Sequence, residues 1–177
     1  MLEQRRKLVQ AVRRLKSAAG AVLKTRVHGD FHLGQVLVAQ GDAVIVDFEG
    51  EPARGLSERR AKTSPMKDVA GLLRSFDYAA AMLPMEGAVT NVAMPERRQA
   101  ALELWKQSAT AAFLDAYRAV AREQPNPWVT ADGEQDVMDI FLIEKVAYEI
   151  CYELANRPAW VQVPMSGLDR LARRLLS

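Results

Sequence analysis

Apolar residues recur at spacings of three and four along most of the chain, which predicts a mainly helical protein. The predicted helices cover residues 1–24, a segment from about 65 to 83, 96–122, about 134–156 and 167–176. A polar, irregular stretch predicts a loop at 51–67, and proline-containing stretches predict breaks at 84–95 and 124–127. Another break is expected after Asn156, where Arg157 and Pro158 follow, because a residue before proline avoids the helical region.

A different pattern occupies the first third of the chain. Two short runs rich in β-branched residues, Val36–Val38 and Val44–Val46, flank the turn-forming residues Gln40, Gly41 and Asp42. This arrangement predicts a β-hairpin. The fold class predicted from the pattern is therefore mainly α with one small β-hairpin.

The predicted helix 134–156 carries two stripes. The apolar stripe, expected to face the core, consists of Val137, Ile140, Phe141, Ala147, Cys151 and Leu154. The polar stripe beside it consists of Lys145, Glu149, Tyr152, Glu153 and Asn156. A polar stripe is compatible with a solvent-exposed face, but we favour the wall of a sugar pocket, since tyrosine rings and carboxylates suit a polyhydroxylated ligand.

Composition narrows the class of protein. The 177 residues are 49% hydrophobic and 26% charged, which excludes a disordered or low-complexity chain. The net charge of +2 gives no argument for nucleic acid, and no apolar run is long enough to predict a membrane span. With one cysteine, Cys151, an internal disulfide is impossible, and we expect a reducing, cytoplasmic setting.

Both histidines of the protein fall in one short motif, His28-Gly29-Asp30-Phe31-His32, and Gln35 follows Asp30 by five positions. A His-x-Asp motif with an amide residue five places on is typical of a kinase catalytic loop. Asp47-Phe48-Glu49 follows on the return strand of the hairpin, in the place of an Asp-Phe-Gly element. Phosphoryl transfer needs one carboxylate to accept the hydroxyl proton, and a carboxylate with an amide oxygen to hold Mg²⁺. The paired motifs therefore predict a phosphotransferase.

Three segments carry a resemblance to a known family. HGDFHLGQVLV, IVDFEGEPARGLSERRAKTSPMKDVAGLLRSFDYAA and YELANRPAWVQVP resemble bacterial maltokinases, including those fused behind a trehalose synthase. These enzymes belong to the aminoglycoside-phosphotransferase-like branch of the protein-kinase fold. The resemblance covers roughly residues 20–165 and implies that residues 1–177 form a single domain, the C-terminal catalytic lobe of such a kinase.

The same resemblance implies roles for individual residues. Asp30 would be the catalytic base, with His28 as a second catalytic residue, and Gln35 and Asp47 would bind Mg²⁺ and thereby ATP, the phosphate donor. The acceptor would be maltose or a related small sugar, yielding maltose 1-phosphate. Its implied contacts are His32, Glu49, Tyr148, Glu149, Tyr152 and Arg157. The chain departs from the general motif of the branch at Gln35, where Asn is usual, and at Glu49, where glycine is usual.

The sequence shows no second, strand-rich lobe with a phosphate-binding lysine, so we expect the activity to need such an N-terminal lobe. The resemblance implies that lobe or a fused trehalose synthase as a partner. We expect 1–177 alone to be inactive. Two alternatives stay open: a kinase for an aminoglycoside, choline or homoserine, and a non-catalytic kinase-like interaction module. No nucleic acid or membrane partner is expected.

Two further features allow two readings each. Asp68, near the start of a predicted helix, is either a helix cap or a support for the catalytic loop. The charged cluster Arg54, Glu58, Arg59, Arg60 and Lys62 is either a solvated loop or a source of contacts to sugar or phosphate.

Overall fold

The computed structural model describes residues 2–18, 22–82, 95–124 and 131–176. Six α-helices and one two-stranded sheet make up the described fold: α1 (Leu2–Ala18), β1 (Val36–Ala39), β2 (Asp42–Ile45), α2 (Leu56–Arg59), α3 (Met66–Met82), α4 (Pro95–Arg122), α5 (Ala131–Asn156) and α6 (Gln162–Leu176). Single 3₁₀ turns cover Leu33–Gln35 and Pro158–Trp160. The mainly helical prediction with a small hairpin is confirmed. The predicted breaks at 84–95 and 124–127 fall almost wholly outside the described residues.

The predicted hairpin forms with an antiparallel register that pairs Val36 with Ile45 and Ala39 with Asp42. Its two-residue turn has φ of 53° at Gln40 and 83° at Gly41. Two left-handed residues in succession are what a type I′ turn requires, and that turn matches the twist of the strands. The hairpin therefore has a fixed register, which places Val46 opposite Gln35.

The core lies mainly between α3 and α5, with α1 and α6 packed against α5. Its buried members are Met66, Val69, Ala70, Val137, Met138, Leu142, Val146 and Leu171. Ser64 caps α3, since its Oγ accepts the Met66 amide at 3.2 Å. None of the helices among the described residues is long and apolar enough to cross a membrane.

The buried stripe of α5 differs from the predicted one in its second half. Ala147 and Cys151 are exposed, and Leu154 is 59% exposed. Glu149 and Glu153 are buried in their place, because they continue the helical spacing from Val146. The expectation that Cys151 packs in the core is therefore wrong. Beyond Val146 the inner side of α5 faces basic and hydroxyl side chains, so carboxylates are stabilised there better than methyl groups.

Candidate active site

Asp68 on α3 holds the start of the predicted catalytic loop. Its Oδ2 accepts the backbone N–H of His28 at 2.7 Å, and its Oδ1 accepts that of Gly29 at 2.9 Å. Gly29 has a φ of +88°, which L-residues with side chains rarely adopt. Of the two readings of Asp68, the support of the loop is the one the structure shows, because the capping role falls to Ser64.

The same face of α3 fixes the rest of this loop. Gly71 lies one turn after Asp68, and a Cβ there would lie 2.5 Å from the carbonyl oxygen of Phe31. Ser75, one turn further on, accepts the Leu33 amide at 3.1 Å through its Oγ. Positions i, i+3 and i+7 lie on one side of a helix, so α3 acts as a rigid back for the loop.

His28 is buried, and both ring nitrogens face the protein. Nε2 lies 2.8 Å from the carbonyl oxygen of Val46, and the Asp30 amide lies 3.4 Å from Nδ1. A ring that donates from Nε2 and accepts at Nδ1 ties the loop to the end of β2. These contacts position the loop, and the catalytic role that the resemblance implies for His28 stays a prediction.

Asp30 is the partly exposed carboxylate at the centre of the loop. Lys145 of α5 places its Nζ 3.5 Å from Asp30 Oδ1, and His32 places its Nε2 3.8 Å from Asp30 Oδ2. The His32 Nδ1 accepts the Gly34 amide at 3.1 Å, which turns Nε2 towards Asp30. One Asp30 oxygen thus lies near the Lys145 ammonium group and the other near the His32 ring, while the carboxylate remains partly exposed to solvent.

The hairpin places Gln35 beside Asp47. The Val46 amide donates to the Gln35 carbonyl oxygen at 3.0 Å, which continues the register of the strands by one pair. The Gln35 side chain then donates from Nε2 to Asp47 Oδ2 at 3.0 Å. Asp47 has a φ of +63°, a sparsely populated conformation for a residue with a side chain.

The donor set at Gln35 and Asp47 fits Mg²⁺. It consists of amide and carboxylate oxygens, the ligands that this hard cation prefers. Among the described residues no group of three or more His, Cys, Asp or Glu side chains is arranged to hold a metal. Mg²⁺ in nucleotide sites keeps water and phosphate ligands besides one or two from protein, so two protein ligands are sufficient.

A cleft of about 560 Å³ opens beside Asp30. That volume is within the usual range of small-molecule sites. The predicted residues Asp30, His32, Tyr148, Glu149, Tyr152 and Arg157 all line it. Residues 51–53, Gly71, Ser75, Tyr78, Lys145 and Glu153 complete the lining. The structure therefore brings six of the predicted site residues together around one opening.

Tyr148 and Tyr152 form an aromatic wall of this cleft, with ring centroids 6.2 Å apart and an interplanar angle of 27°. Burial raises the pKa of Tyr148 to about 12, helped by the charge of Glu51 and by a hydrogen bond to it. The Tyr148 hydroxyl therefore stays protonated and donates to Glu51. Glu51 also accepts the Ala53 amide at 3.3 Å.

Two buried carboxylates form the floor of the cleft. Glu149 accepts a hydrogen bond from Nε of Arg74 at 2.8 Å and forms an ion pair with Arg74 Nη2 at 2.7 Å. Burial raises the pKa of Glu149 against the opposing charge of Arg74. Glu153 is 1% exposed and is held by both Nε and Nη2 of Arg157, at 3.0 and 2.7 Å. Each carboxylate already has a guanidinium partner, so these two ion pairs mainly fix the positions of the side chains at the floor of the cleft.

Glu49 lies away from the cleft. It borders a second cavity with Phe48 and basic residues, and its carbonyl oxygen accepts from Arg59 Nη1 at 3.3 Å. The sugar contact implied for Glu49 therefore has no support in this arrangement. Glu49 lies outside the cleft because the chain turns after Asp47. The chain reaches the cleft only at Glu51, after Gly50.

Sequence reasoning placed Lys145 in the polar stripe without giving it a role of its own, and it assigned no role to Glu51, Arg74 or Tyr78. Lys145, Tyr148 and Tyr152 lie at i, i+3 and i+7 on α5, a spacing that marks a common face. That spacing was a usable signal for Lys145. Glu149 pairs with Arg74, which lies 75 residues away, so no local sequence pattern could predict that pair. Glu153 pairs with Arg157, only four residues away.

Comparison with known proteins identifies relatives among sugar kinases. No protein-family model matches the chain. A glucosamine kinase from Streptacidiphilus jiangxiensis is 34% identical over 155 residues, covering 84% of this chain and 32% of the relative. A glucosamine kinase from Mycolicibacterium smegmatis strain ATCC 700084 / mc(2)155 is 29% identical over 177 residues, covering 97% of this chain and 40% of the relative.

Solved structures give the same result for the fold. A glucosamine kinase in complex with glucosamine, ADP and inorganic phosphate superposes with a TM-score of 0.71 at 25% identity, covering 94% of this chain and 47% of that one. Another crystal form of glucosamine kinase gives 0.72 at 26% identity, covering 98% and 46%. The chain is therefore similar to glucosamine kinases, and it spans 32% to 47% of the length of these relatives.

Proposed function

We propose that this chain carries the acceptor site and the catalytic base of an ATP-dependent sugar kinase. The observation that supports it is the cleft, in which Asp30 stands beside an aromatic and hydrogen-bonding wall suited to a sugar. The homology to glucosamine kinases supports the same reaction class.

In the proposed reaction a sugar hydroxyl enters the cleft and donates a hydrogen bond to Asp30. The carboxylate orients the oxygen and accepts its proton as the oxygen attacks the terminal phosphorus of ATP. The bond between that phosphorus and the bridging oxygen breaks, and ADP leaves with the bonding electron pair. Lys145 lies 3.5 Å from Asp30 and keeps the carboxylate in place. Its positive charge would also stabilise the negative charge of the phosphoryl group during transfer. Gln35 and Asp47 would hold Mg²⁺, which would neutralise phosphate charge.

Two acceptors are proposed, each with its own support. Maltose follows from the resemblance of the three sequence segments to maltokinases, and the cleft volume and paired tyrosine rings are compatible with a disaccharide. Glucosamine follows from the relatives and from Glu51, a cleft carboxylate that forms no ion pair with any described residue. An ammonium group would pair with such a carboxylate.

The proposal includes a nucleotide-clamping N-terminal lobe outside these residues, and a fused trehalose synthase is the other partner that the resemblance implies. The sheet of the described residues has two strands, and the chain spans 32% and 40% of its curated relatives. We expect the 177-residue chain to fold and bind sugar but not to phosphorylate it, because alignment of the donor phosphates supplies most of the catalysis.

The test compares the 177-residue chain with the protein expressed from its complete gene. Calorimetry with maltose, glucosamine, glucose and trehalose identifies the acceptor, and mass spectrometry of sugar and ATP mixtures detects transfer. Glu51→Gln should weaken glucosamine binding and leave maltose binding nearly unchanged. Absence of binding and transfer for every sugar, in both proteins, would contradict the proposal and favour a non-catalytic interaction module.

A further inference from the structure

A second concave surface lies apart from the cleft and carries an excess of positive charge. This basic groove has a volume of about 680 Å³ and shares no lining residue with the cleft beside Asp30. Its charged side chains are Arg26, Arg59, Arg60, Lys62 and Glu49. Four cations therefore surround one carboxylate.

The cations of the groove are not neutralised within the described part of the chain. Arg26, Arg59, Arg60 and Lys62 take part in none of the ion pairs among residues 2–18, 22–82, 95–124 and 131–176, whereas buried Arg74 pairs with two carboxylates. Like charges held close together repel one another, and this cost is relieved when an anion binds between them.

Arg59 is the member of the set whose contacts within the protein are described. Its Nη1 donates to the Glu49 carbonyl oxygen at 3.3 Å, and its stem packs beside Gly50, where a Cβ would lie 3.7 Å from Arg59 Cβ and Cδ. Its Nε is buried and has no hydrogen-bond partner among the described residues. Packing and one neutral carbonyl thus hold the guanidinium, and its charge remains available to a ligand.

We propose that the basic groove binds the phosphate group of a small anion. Arginine presents several N–H donors in a planar fork that matches phosphate oxygens, and three arginines with a lysine suit a dianion. The ligand is either free inorganic phosphate or a phosphate monoester such as a phosphorylated sugar. This site does not depend on the metal ligands, since Gln35 and Asp47 are not among its lining residues.

The test measures thermal stability and calorimetric binding of the 177-residue chain, with EDTA present so that no metal at Asp47 contributes. Inorganic phosphate should raise the melting temperature saturably, beyond the effect of sodium chloride at equal ionic strength. Losing a charge-assisted hydrogen bond should weaken binding about tenfold or more in Arg59→Gln. Arg122→Gln, which removes an exposed charge from the end of α4, should leave binding unchanged.

A second variant keeps the proposal testable if Arg59→Gln fails to fold. Arg60 is exposed, so Arg60→Gln should keep the fold and still weaken phosphate binding. Tighter binding of glucose 6-phosphate than of phosphate would assign the ligand as a monoester, and equal or weaker binding would assign free phosphate. Equal stabilisation by chloride, equal loss in Arg122→Gln, or binding of heparin without binding of phosphate would overturn the proposal.

Discussion

The Asp68 carboxylate accepts the backbone N–H of His28, a residue 40 positions earlier, at 2.7 Å. This bond and its companion to Gly29 fix the backbone that presents Asp30. A carboxylate that satisfies two amides pre-organises the loop before any ligand arrives, and its removal leaves two donors without partners.

We expect Asp68→Ala to lower the free energy of unfolding by about 1–3 kcal/mol, since two partly buried amides lose a charged acceptor. Turnover of the protein from the complete gene should fall as well, because Asp30 loses its fixed position. Denaturant titration and steady-state kinetics provide the measurements. Asp115→Ala, at an exposed position of α4, is the control and should change neither.

Asp30→Asn should reduce turnover by about a hundredfold or more with little effect on ATP affinity. An amide of the same shape no longer accepts the hydroxyl proton, and a positioned general base contributes about 10²–10⁴ in rate. Phosphate-transfer kinetics on the protein from the complete gene measure this. Asp42→Asn on the hairpin turn serves as the comparison. Retention of more than a third of the original turnover would remove Asp30 from the mechanism.

Asp47→Asn should weaken the use of Mg²⁺ while preserving the backbone. Asparagine tolerates the left-handed conformation that Asp47 adopts, so the change removes charge and keeps shape. Binding of Mn²⁺, followed by electron paramagnetic resonance, and a Mg²⁺ titration of activity should both shift to higher metal concentration. If neither shifts, the metal is held elsewhere.

Arg157→Ala should lower the free energy of unfolding by about 2 kcal/mol. Removing one partner of a buried pair costs about 3–5 kcal/mol, and we discount this because the Arg157 side chain is 51% exposed. Adding Glu153→Gln to the same chain should recover part of the lost stability, because the buried Glu153 charge that lacks a partner is then removed. The matched control is Arg173→Ala, whose pair with Asp169 is exposed at both ends and should contribute within about 0.5 kcal/mol.

Tyr148 gives a prediction about pH. Its pKa in the folded state is about 12, against an ordinary value near 10, so its contribution to stability is complete below pH 10. That contribution is lost as the pH rises through 12, when the hydroxyl ionises. The difference in absorbance at 295 nm between the original chain and Tyr148→Phe should therefore develop near pH 12. Glu51→Gln should move it to lower pH, and a midpoint near 10 in the original chain would contradict this assignment.

The sequence predicted those parts of the fold that local rules determine. Val36–Val38, the Gln40-Gly41 turn and Val44–Val46 form a hairpin because strand preference and turn chemistry act over ten residues. The motif around Asp30 likewise identified the loop. The error on α5 had another origin: Glu149 is buried because Arg74, 75 residues away, meets it, and such pairing is invisible to periodicity. The contact of His28 with Val46 could not be predicted, because only the fold reveals that the Val46 carbonyl oxygen receives its ring N–H.

The division of α5 into two sides has a consequence for the history of such proteins. Met138, Leu142 and Val146 face the core, whereas Lys145, Tyr148 and Tyr152 face the cleft. Exchanges on the cleft side leave the packing of the other side intact, so they can accumulate without loss of folding. If the proposed sugar site is correct, exchanges at Tyr148 and Tyr152 would change the sugar that the cleft accepts while the core and the Lys145–Asp30 pair stay intact. A library randomised at these two tyrosines would test that consequence in the laboratory.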